Sequence, residues 1–292
     1  MANINSSTAL SLGFFDSIHR GHRYLLQVGK KIASYYNAEF TVMTFDDNFN
    51  TALGREEKEV YLLSERLEIL KSLGYDKIVV FESSTDFLNM DAEKFLRYLL
   101  TYNPIAIIAG NDYTFGKGGK GDIGLLKSFM KEHNVNVAEV DLLNYYNSKI
   151  STSRIKRFLL KGEIAKANKL LGDRYFVSGT VTKGKGLGNK LGIPTANIVA
   201  PKLKFLPKDG VYKTSVQVDG KTYDSITNVG THPTFNDHSF NLETFILNYD
   251  GNLYNKKIKI SFIDRLRDVI KFNSVDELVK QINSDIVKAY QT

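Results

Sequence analysis

From Thr8 to Val140, short apolar runs alternate with helix-patterned stretches, and after Tyr175 the alternation stops. TALSLGFF, AEFTVMTF, DKIVVFE, IAIIAG and NVNVAEV read as strands. RYLLQVGKKIASYY, EEKEVYLLSERLEILKSLG, AEKFLRYLL and residues 122–133 read as the helices between them. Strands separated by helices need crossover connections, which predicts an α/β unit with a parallel sheet and helices on both faces. Helical spacing predicts that the first helix buries Leu25, Val28, Gly29 and Ile32, and the second Val60, Leu63, Leu67 and Leu70. Beyond Tyr175 the runs YFVSGTVT, GVYKTSVQV, KTYDSITNVG, FNLETFILNY and KIKISFI follow one another with little helix between. Asp219-Gly220 separates two of them as a two-residue hairpin turn would, and Asp250-Gly251 marks another turn. This half reads as an antiparallel barrel or sandwich. SVDELVKQINSDIVKAY closes it as a helix capped by Ser274 and Glu277. The boundary is expected at Leu171–Tyr175, giving domains 1–171 and 172–292.

Composition narrows the function classes. A chain of 292 residues, 42% hydrophobic and 24% charged, has the composition of a soluble globular protein with a sizeable core. There is no cysteine, so no disulfide, thiolate metal site or thiol nucleophile is available; this fits a reducing cytoplasm. No apolar stretch is long enough for a membrane helix, and the first residues lack the pattern of a signal peptide. The net charge of +7 suits phosphorylated small molecules as well as nucleic acid, but no common RNA-binding signature is present.

The segment GFFDSIHRGH (13–22) places two of the five histidines, His19 and His22, at the expected start of the first helix. Ligands of open α/β sheets bind at the carboxyl ends of the strands, and a helix N-terminus attracts anions. Two imidazoles one turn apart suit phosphate oxygens, with Gly21 permitting close approach. Zinc is the competing reading but needs further ligands, and a pair of merely capping or exposed histidines is the third. GNDYTFGKGGKGD (110–122) with the following Ile123-Gly124 matches G-x-G-x-x-G at Gly119, Gly121 and Gly124, but it does not follow the first strand or open its helix, so it reads as a mobile loop over a ligand or as a plain surface loop. SKISTSRIKRFL gathers Ser151, Thr152, Ser153, Arg154, Lys156 and Arg157 at a helix start, apt for nucleotide phosphates or simply for a capped basic helix.

In the second half, KGKGLGNKLGIPTAN interleaves glycines and lysines. Gly179 to Lys185 approaches a P-loop, but Gly186 stands where Ser or Thr is required. Thr195 and Asn197, two apart on an extended segment, are hard oxygen donors on one side, fit for Mg²⁺ or for an ordinary turn into a strand. Glu243, among apolar and aromatic neighbours, is a candidate general base or a solvent-facing strand residue. Arg265 and Arg267 are candidate phosphate contacts or surface charges.

From about Ala9 to Ile282 these segments resemble the bacterial bifunctional riboflavin kinase/FMN adenylyltransferases, or FAD synthetases. G-x-F-D-x-x-H-x-G-H resembles the first adenylyltransfer motif, GNDYTFGKGGKGD the flavin- and nucleotide-side loop, and ISTSRIK the phosphate motif. GKGLGNKLGIPTAN, NVGTHPTFN, LETFILNYDGNLY and ISFIDRLRD resemble the kinase. The resemblance implies a Rossmann-like nucleotidylyltransferase domain followed by an antiparallel β-barrel kinase with a terminal helix. It implies ATP, riboflavin, FMN and FAD as substrates and products, with Mg²⁺. His19 and His22 would hold ATP with Gly13, Phe14 and Asp16 nearby; Asp112 would lie beside them, and Ser151, Thr152, Arg154 and Lys156 would approach the phosphates. In the kinase, Gly184, Gly186, Gly188 and Gly192 would form the ATP loop with Arg265 as a further contact. Thr195 and Asn197 would hold the metal, and Glu243 would activate the ribityl hydroxyl. The partners implied are these small molecules, with no nucleic acid or membrane; the oligomeric state is not implied. Ser17 stands where the family has glycine, Lys156 where it has arginine, TFDDNFN lacks the usual prolines, and Val269 replaces an acidic residue. Three of these departures fall in the first half, so a kinase with an inactive or altered adenylyltransferase half is an alternative reading. A non-enzymatic flavin- or RNA-binding regulator is another.

Overall fold

The computed structural model describes residues 7–141, 143–182, 195–231, 240–272 and 274–290. The chain divides into two compact units, Met1–Thr152 and Ser153–Thr292.

In the first unit, β1 (Thr8–Leu12), β2 (Glu39–Phe45), β3 (Ile78–Phe81), β4 (Pro104–Gly110) and β5 (Asn136–Val140) form a parallel sheet in the order β3-β2-β1-β4-β5. The connections carry α1 (Arg20–Tyr35), α2 (Phe49–Ala52), α3 (Leu63–Ser72), α4 (Thr85–Leu88), α5 (Ala92–Leu100) and α6 (Ile123–Glu132). The strand order reverses between β1 and β4, and the carboxyl ends of these two strands open the crevice where such sheets take ligands. Leu10, Leu12, Met43, Ile107 and Ala109 pack with Phe95, Leu96, Leu99 and Leu126 as one core. A short hairpin, β6 (Asn144–Tyr145) and β7 (Ser148–Lys149), precedes the unit boundary, turning through Tyr146 and Asn147 at positive φ.

Two helices depart from the sequence expectation. The buried stripe of α1 is Leu25, Leu26, Gly29 and Ala33, leaving Val28 and Ile32 half-buried. At Gly29 a Cβ would lie 2.5 Å from the Phe40 ring, so the missing side chain brings this face of α1 down onto β2. The second long helix begins only at Leu63 and buries Glu65, Arg66, Ile69 and Leu70 in place of Leu63 and Leu67. Val60 lies outside it because the Asp16 carboxylate accepts the Val60 N–H at 2.6 Å and that of Tyr61 at 3.4 Å, while Glu65 accepts the Leu62 N–H at 3.1 Å. A tertiary contact thus outbids local helix propensity over residues 56–62.

α7 (Thr152–Leu160) starts on the last residue of the first unit, and from Ser153 onward it opens the second unit with α8 (Ile164–Leu171). There follow β8 (Phe176–Thr182), β9 (Thr195–Val199), β10 (Gly210–Val218), β11 (Lys221–Thr231), β12 (Phe240–Ile246), β13 (Lys257–Arg267) and α9 (Val275–Tyr290). The six strands close an antiparallel barrel in the order β10-β11-β12-β9-β8-β13. Asp219 and Gly220, both at positive φ, make the expected tight hairpin turn. Thr214, Ser225, Thr227 and Thr244, all buried, share hydroxyl hydrogen bonds of 2.8–2.9 Å, satisfying polar groups that burial would otherwise penalise. Arg267 grips Asp285 through Nε and Nη2, anchoring α9 to β13, and the Glu277 N–H is capped by Ser274 Oγ.

Candidate functional site

In the first unit, β1 leads into a tight loop in which Phe15 (φ 55°) and Ile18 (φ 39°) take the left-handed backbone region. For a bulky residue that conformation is strained and persists only where the surroundings enforce it. Ser17, the departure from the family's glycine, is not one of the positive-φ residues. Its hydroxyl is buried and lies 2.9 Å from the Thr152 hydroxyl, tying the first motif to the last within this unit.

His19 is the N-cap of α1, its Nδ1 accepting the His22 N–H at 3.1 Å. An accepting Nδ1 leaves the proton on Nε2, which is then the donor available to a ligand. The two imidazoles stack at 3.7 Å, and the Phe15 ring meets His22 edge-on at 5.3 Å. Burial pushes His19 down to about 4, with Lys149 adding in the same direction and its own backbone hydrogen bond and Asp112 opposing. Burial, then His19, hold His22 well below the ordinary range. Burial thus favours the uncharged form of both imidazoles. His22 Nδ1 is buried without a hydrogen-bond partner among the described residues. Asp112 forms an ion pair with Lys149 at 2.7 Å.

Other candidates have different occupations. The Asp16 carboxylate holds the backbone of residues 60–61, so its contribution to the loop is bracing. The Gly13 N–H is bonded to the Met43 carbonyl. Phe14 packs its ring near Phe45 and Phe49. Ser151 and Thr152 stand half-buried at the start of α7. In the second unit Arg154 and Lys156 lie on α7 with their cations over the Phe158 and Phe205 rings.

The loop after β4 folds back on itself: Phe115 and Gly121 exchange both backbone hydrogen bonds, and the Lys117 N–H reaches the Met90 carbonyl at 2.7 Å. Gly116 (φ 71°) lies so close to Ala92 that a Cβ would come within 2.7 Å of its backbone. This loop walls a cavity of about 460 Å³ with Phe45, Phe49, Phe87, Phe95, Tyr113 and Phe115, and Arg55 also lines it. The sequence left these aromatics unassigned because they come from β2, α2, α4, α5 and the β4–α6 loop. Only the fold gathers them.

In the second unit, Glu243 on β12 pairs directly with Asn197 on β9 and with Asn228 on β11. Asn197 in turn pairs with Thr182 on β8. Direct cross-strand partners point to the same face, so these four side chains form one row across the barrel. Thr195, two residues from Asn197, shares that face; both are half-buried, whereas Ala196 and Ile198 turn into the core. Asn228 was missed by sequence reasoning, although the period-2 pattern of KTYDSITNVG carries it. Its Oδ1 is buried without a hydrogen-bond partner among the described residues. An orphaned carbonyl oxygen beside Glu243, with two hard oxygen donors on the neighbouring strand, is a donor set that fits a hard divalent cation. Gly184, Gly186, Gly188 and Gly192 lie outside the described residues. Arg265 donates to Asp268 at 2.6 Å and to the Asp209 carbonyl at 2.7 Å, and packs against Gly162 and Gly210, so it clasps the α7–α8 turn and the start of β10.

The FAD synthetase family matches residues 1–154, and the riboflavin kinase family matches residues 171–292. The chain is 33% identical to the bifunctional riboflavin kinase/FMN adenylyltransferase of Listeria monocytogenes over 94% of this chain and 89% of that one. It is 34% identical to the Buchnera aphidicola protein of the same description, over 99% of this chain and 96% of that one. A solved structure described as a macrolide-efflux protein from Streptococcus pneumoniae superposes with a TM-score of 0.88 at 32% identity, covering 98% of this chain and 94% of that one.

Proposed function

The chain belongs to the bifunctional riboflavin kinase/FMN adenylyltransferase family of transferases, and from that premise we propose how its own residues divide the two reactions. The observation that carries the reading of the first unit is the His19–His22 stack at the α1 N-terminus, in the same unit as an aromatic-lined cavity of about 460 Å³.

In the first unit, ATP lies along the β1–α1 loop with its phosphates at the start of α1. The Nε2–H of His19 donates to a phosphate oxygen, and free backbone N–H groups of α1 add partial positive charge. The flavin ring occupies the cavity walled by Phe49, Phe87 and Tyr113. An oxygen of the FMN phosphate attacks the α-phosphorus of ATP; the bond from that phosphorus to the bridging oxygen breaks, and pyrophosphate leaves. The donors at the leaving phosphates act most strongly as charge builds there.

In the second unit, Glu243 takes the proton of the ribityl 5′-hydroxyl, whose oxygen attacks the γ-phosphorus of ATP and releases ADP. Mg²⁺, held by the oxygens of Thr195 and Asn197, would neutralise phosphate charge when bound. Positioning by the row on β11, β12 and β9 does the rest, since phosphoryl transfer asks mainly for alignment and charge neutralisation. The boundary 1–171/172–292 and a cytoplasmic location belong to the same reading. The efflux description of the streptococcal structure is not carried over: no helix among the described residues is long and apolar enough to cross a membrane.

The test is to incubate the purified chain with riboflavin, ATP and Mg²⁺ and separate the flavins. FAD supports the two-step reading. FMN alone means that the first half is inactive or altered, and unchanged riboflavin leaves a binding protein.

A further inference from the structure

Arg66 is fully buried on α3, behind the loop that carries the first motif. Burying a guanidinium is costly unless every arm is engaged, and an apolar side chain of similar size would fill this space at less cost. One arm of Arg66 is directed at the loop and the other at two carboxylates, while its Nε is buried with no hydrogen-bond partner among the described residues. Its Nη1 donates to the Phe14 carbonyl at 3.0 Å and to the Thr44 hydroxyl at 2.8 Å, and Thr44 Oγ1 donates to the same carbonyl at 2.8 Å. Its Nη2 reaches Asp47 and Glu59, each at 3.3 Å, and its cation lies 4.8 Å from the centre of the Phe14 ring.

The held carbonyl immediately precedes Phe15, the first left-handed residue of the loop. From there the chain is braced step by step. Asp16 grips the backbone of residues 60–61, the Ile18 N–H returns to the Phe15 carbonyl at 3.3 Å, and Arg23 Nε donates to the Ile18 carbonyl at 3.1 Å. His19 follows as the cap of α1. On its other side the Phe14 ring meets Phe49 at 5.6 Å and Phe45 at 6.1 Å, and both line the aromatic cavity.

We propose that Arg66 is a positioning residue for adenylyl transfer: it fixes the strained β1–α1 loop that presents His19 and joins that loop to the cavity for the flavin. The proposal rests on reading the first unit as the adenylyltransferase. A purely structural role would make Arg66 a stability determinant alone. A positioning role requires turnover to fall while the fold holds, because a small displacement of a reacting group costs about 10²-fold.

The experiment compares the parent, R66K and R66M/E59Q as full-length chains. The double variant removes both members of the buried pair, so no lone charge is left where Glu59 is. Pyrophosphate release from FMN and ATP is measured for kcat and for the KM of each substrate, with riboflavin phosphorylation by the same samples as the internal control and thermal unfolding as the check on the fold. The expected result for R66M/E59Q is an adenylylation kcat about 10²-fold below the parent, a raised KM for FMN, unchanged phosphorylation, and a first unit that is still folded and unfolds cooperatively. R66K, which keeps the charge but not the two-armed fork, is expected between the two. Parental kcat in R66M/E59Q would overturn the proposal. Loss of the first unit's fold in both variants would also overturn it, by assigning Arg66 to stability. A parent chain that makes no FAD would remove the underlying reading itself, and this is seen before any variant is compared.

Discussion

Glu243 and Asn197 are direct partners across the β12–β9 pair, with Asn228 on the far side of Glu243. Direct partners in an antiparallel pair have Cβ atoms about 4.5–5.5 Å apart, within reach of one substrate hydroxyl and one cation. Strand register, and not loop conformation, therefore sets the spacing between the proposed base and the proposed metal-binding residue. Glu243→Gln keeps the shape of the row but cannot take a proton. Riboflavin phosphorylation is expected to fall about 10²–10⁴-fold, while adenylylation of supplied FMN stays at the parent rate. Comparing the two steady-state rates on one preparation checks this; an equal fall in both would contradict it.

The aromatic cavity makes a second prediction. Phe49 is half-buried and lines the cavity, so Phe49→Ala removes a ring face with little loss of core. An aromatic pair contributes about 0.5–1.5 kcal/mol beyond area burial, so KM for FMN is expected to rise several-fold with KM for ATP little changed. Initial-rate kinetics with each substrate varied in turn measure both.

The third concerns pH. Burial raises Glu59 to about 8; Arg66 opposes, and Asp16 and Asp47 reinforce the rise. A carboxyl whose folded pKa lies above its unfolded one favours the native state fully below the unfolded value near 4.5. That stability is lost as pH rises through about 8. His19 has the opposite sense: with its folded value near 4 and its unfolded value near 6.5, its stability is lost as pH falls through that window. The first unit is thus expected to lose stability from pH 6.5 to 8 through Glu59 alone of these two groups. Glu59→Gln is expected to flatten the thermal unfolding midpoint over that range relative to the parent. A parallel decline in both proteins would contradict this.

Much of the architecture was legible in the sequence, because hydrophobic period and turn chemistry are local. The five strands of the parallel sheet, five of the six barrel strands, the Asp219-Gly220 turn and the capped terminal helix follow from that pattern, whereas the short β6–β7 hairpin does not. What was illegible is set by distant partners. Residues 56–62 read as helix until Asp16, more than forty positions away, takes the N–H groups of Val60 and Tyr61. Nothing in the sequence singles out Arg66, and the cavity aromatics stay unassigned because they come from separate elements. At the site, the histidine pair and Glu243 could be picked out from residue type and context. Asn228 needed the register, and Ser17 reads as a defect until its hydroxyl is found against Thr152.

The fourth prediction concerns the length of the kinase module. Asn168 on α8 accepts the Tyr175 N–H at 2.7 Å and donates to the Phe262 carbonyl at 2.9 Å, and the Lys208 N–H reaches the Leu159 carbonyl at 2.9 Å. These bonds tie α7 and α8 to the barrel. A fragment of residues 153–292 is expected to fold and make FMN without FAD. A fragment of residues 172–292 is expected to do the same with a lower unfolding midpoint, since each buried group left unpaired costs about 1–3 kcal/mol. Calorimetry of the two fragments compares them directly.

In the proposed division of labour, adenylyl transfer belongs to the His19–His22 site and is separate from phosphorylation in the barrel. Flavin chromatography of the full-length H19A/H22A variant supplied with riboflavin, ATP and Mg²⁺ tests it most directly. The account predicts that FMN accumulates at the parent rate and no FAD appears; FAD formed at the parent rate would make the histidine stack a structural feature and contradict the account.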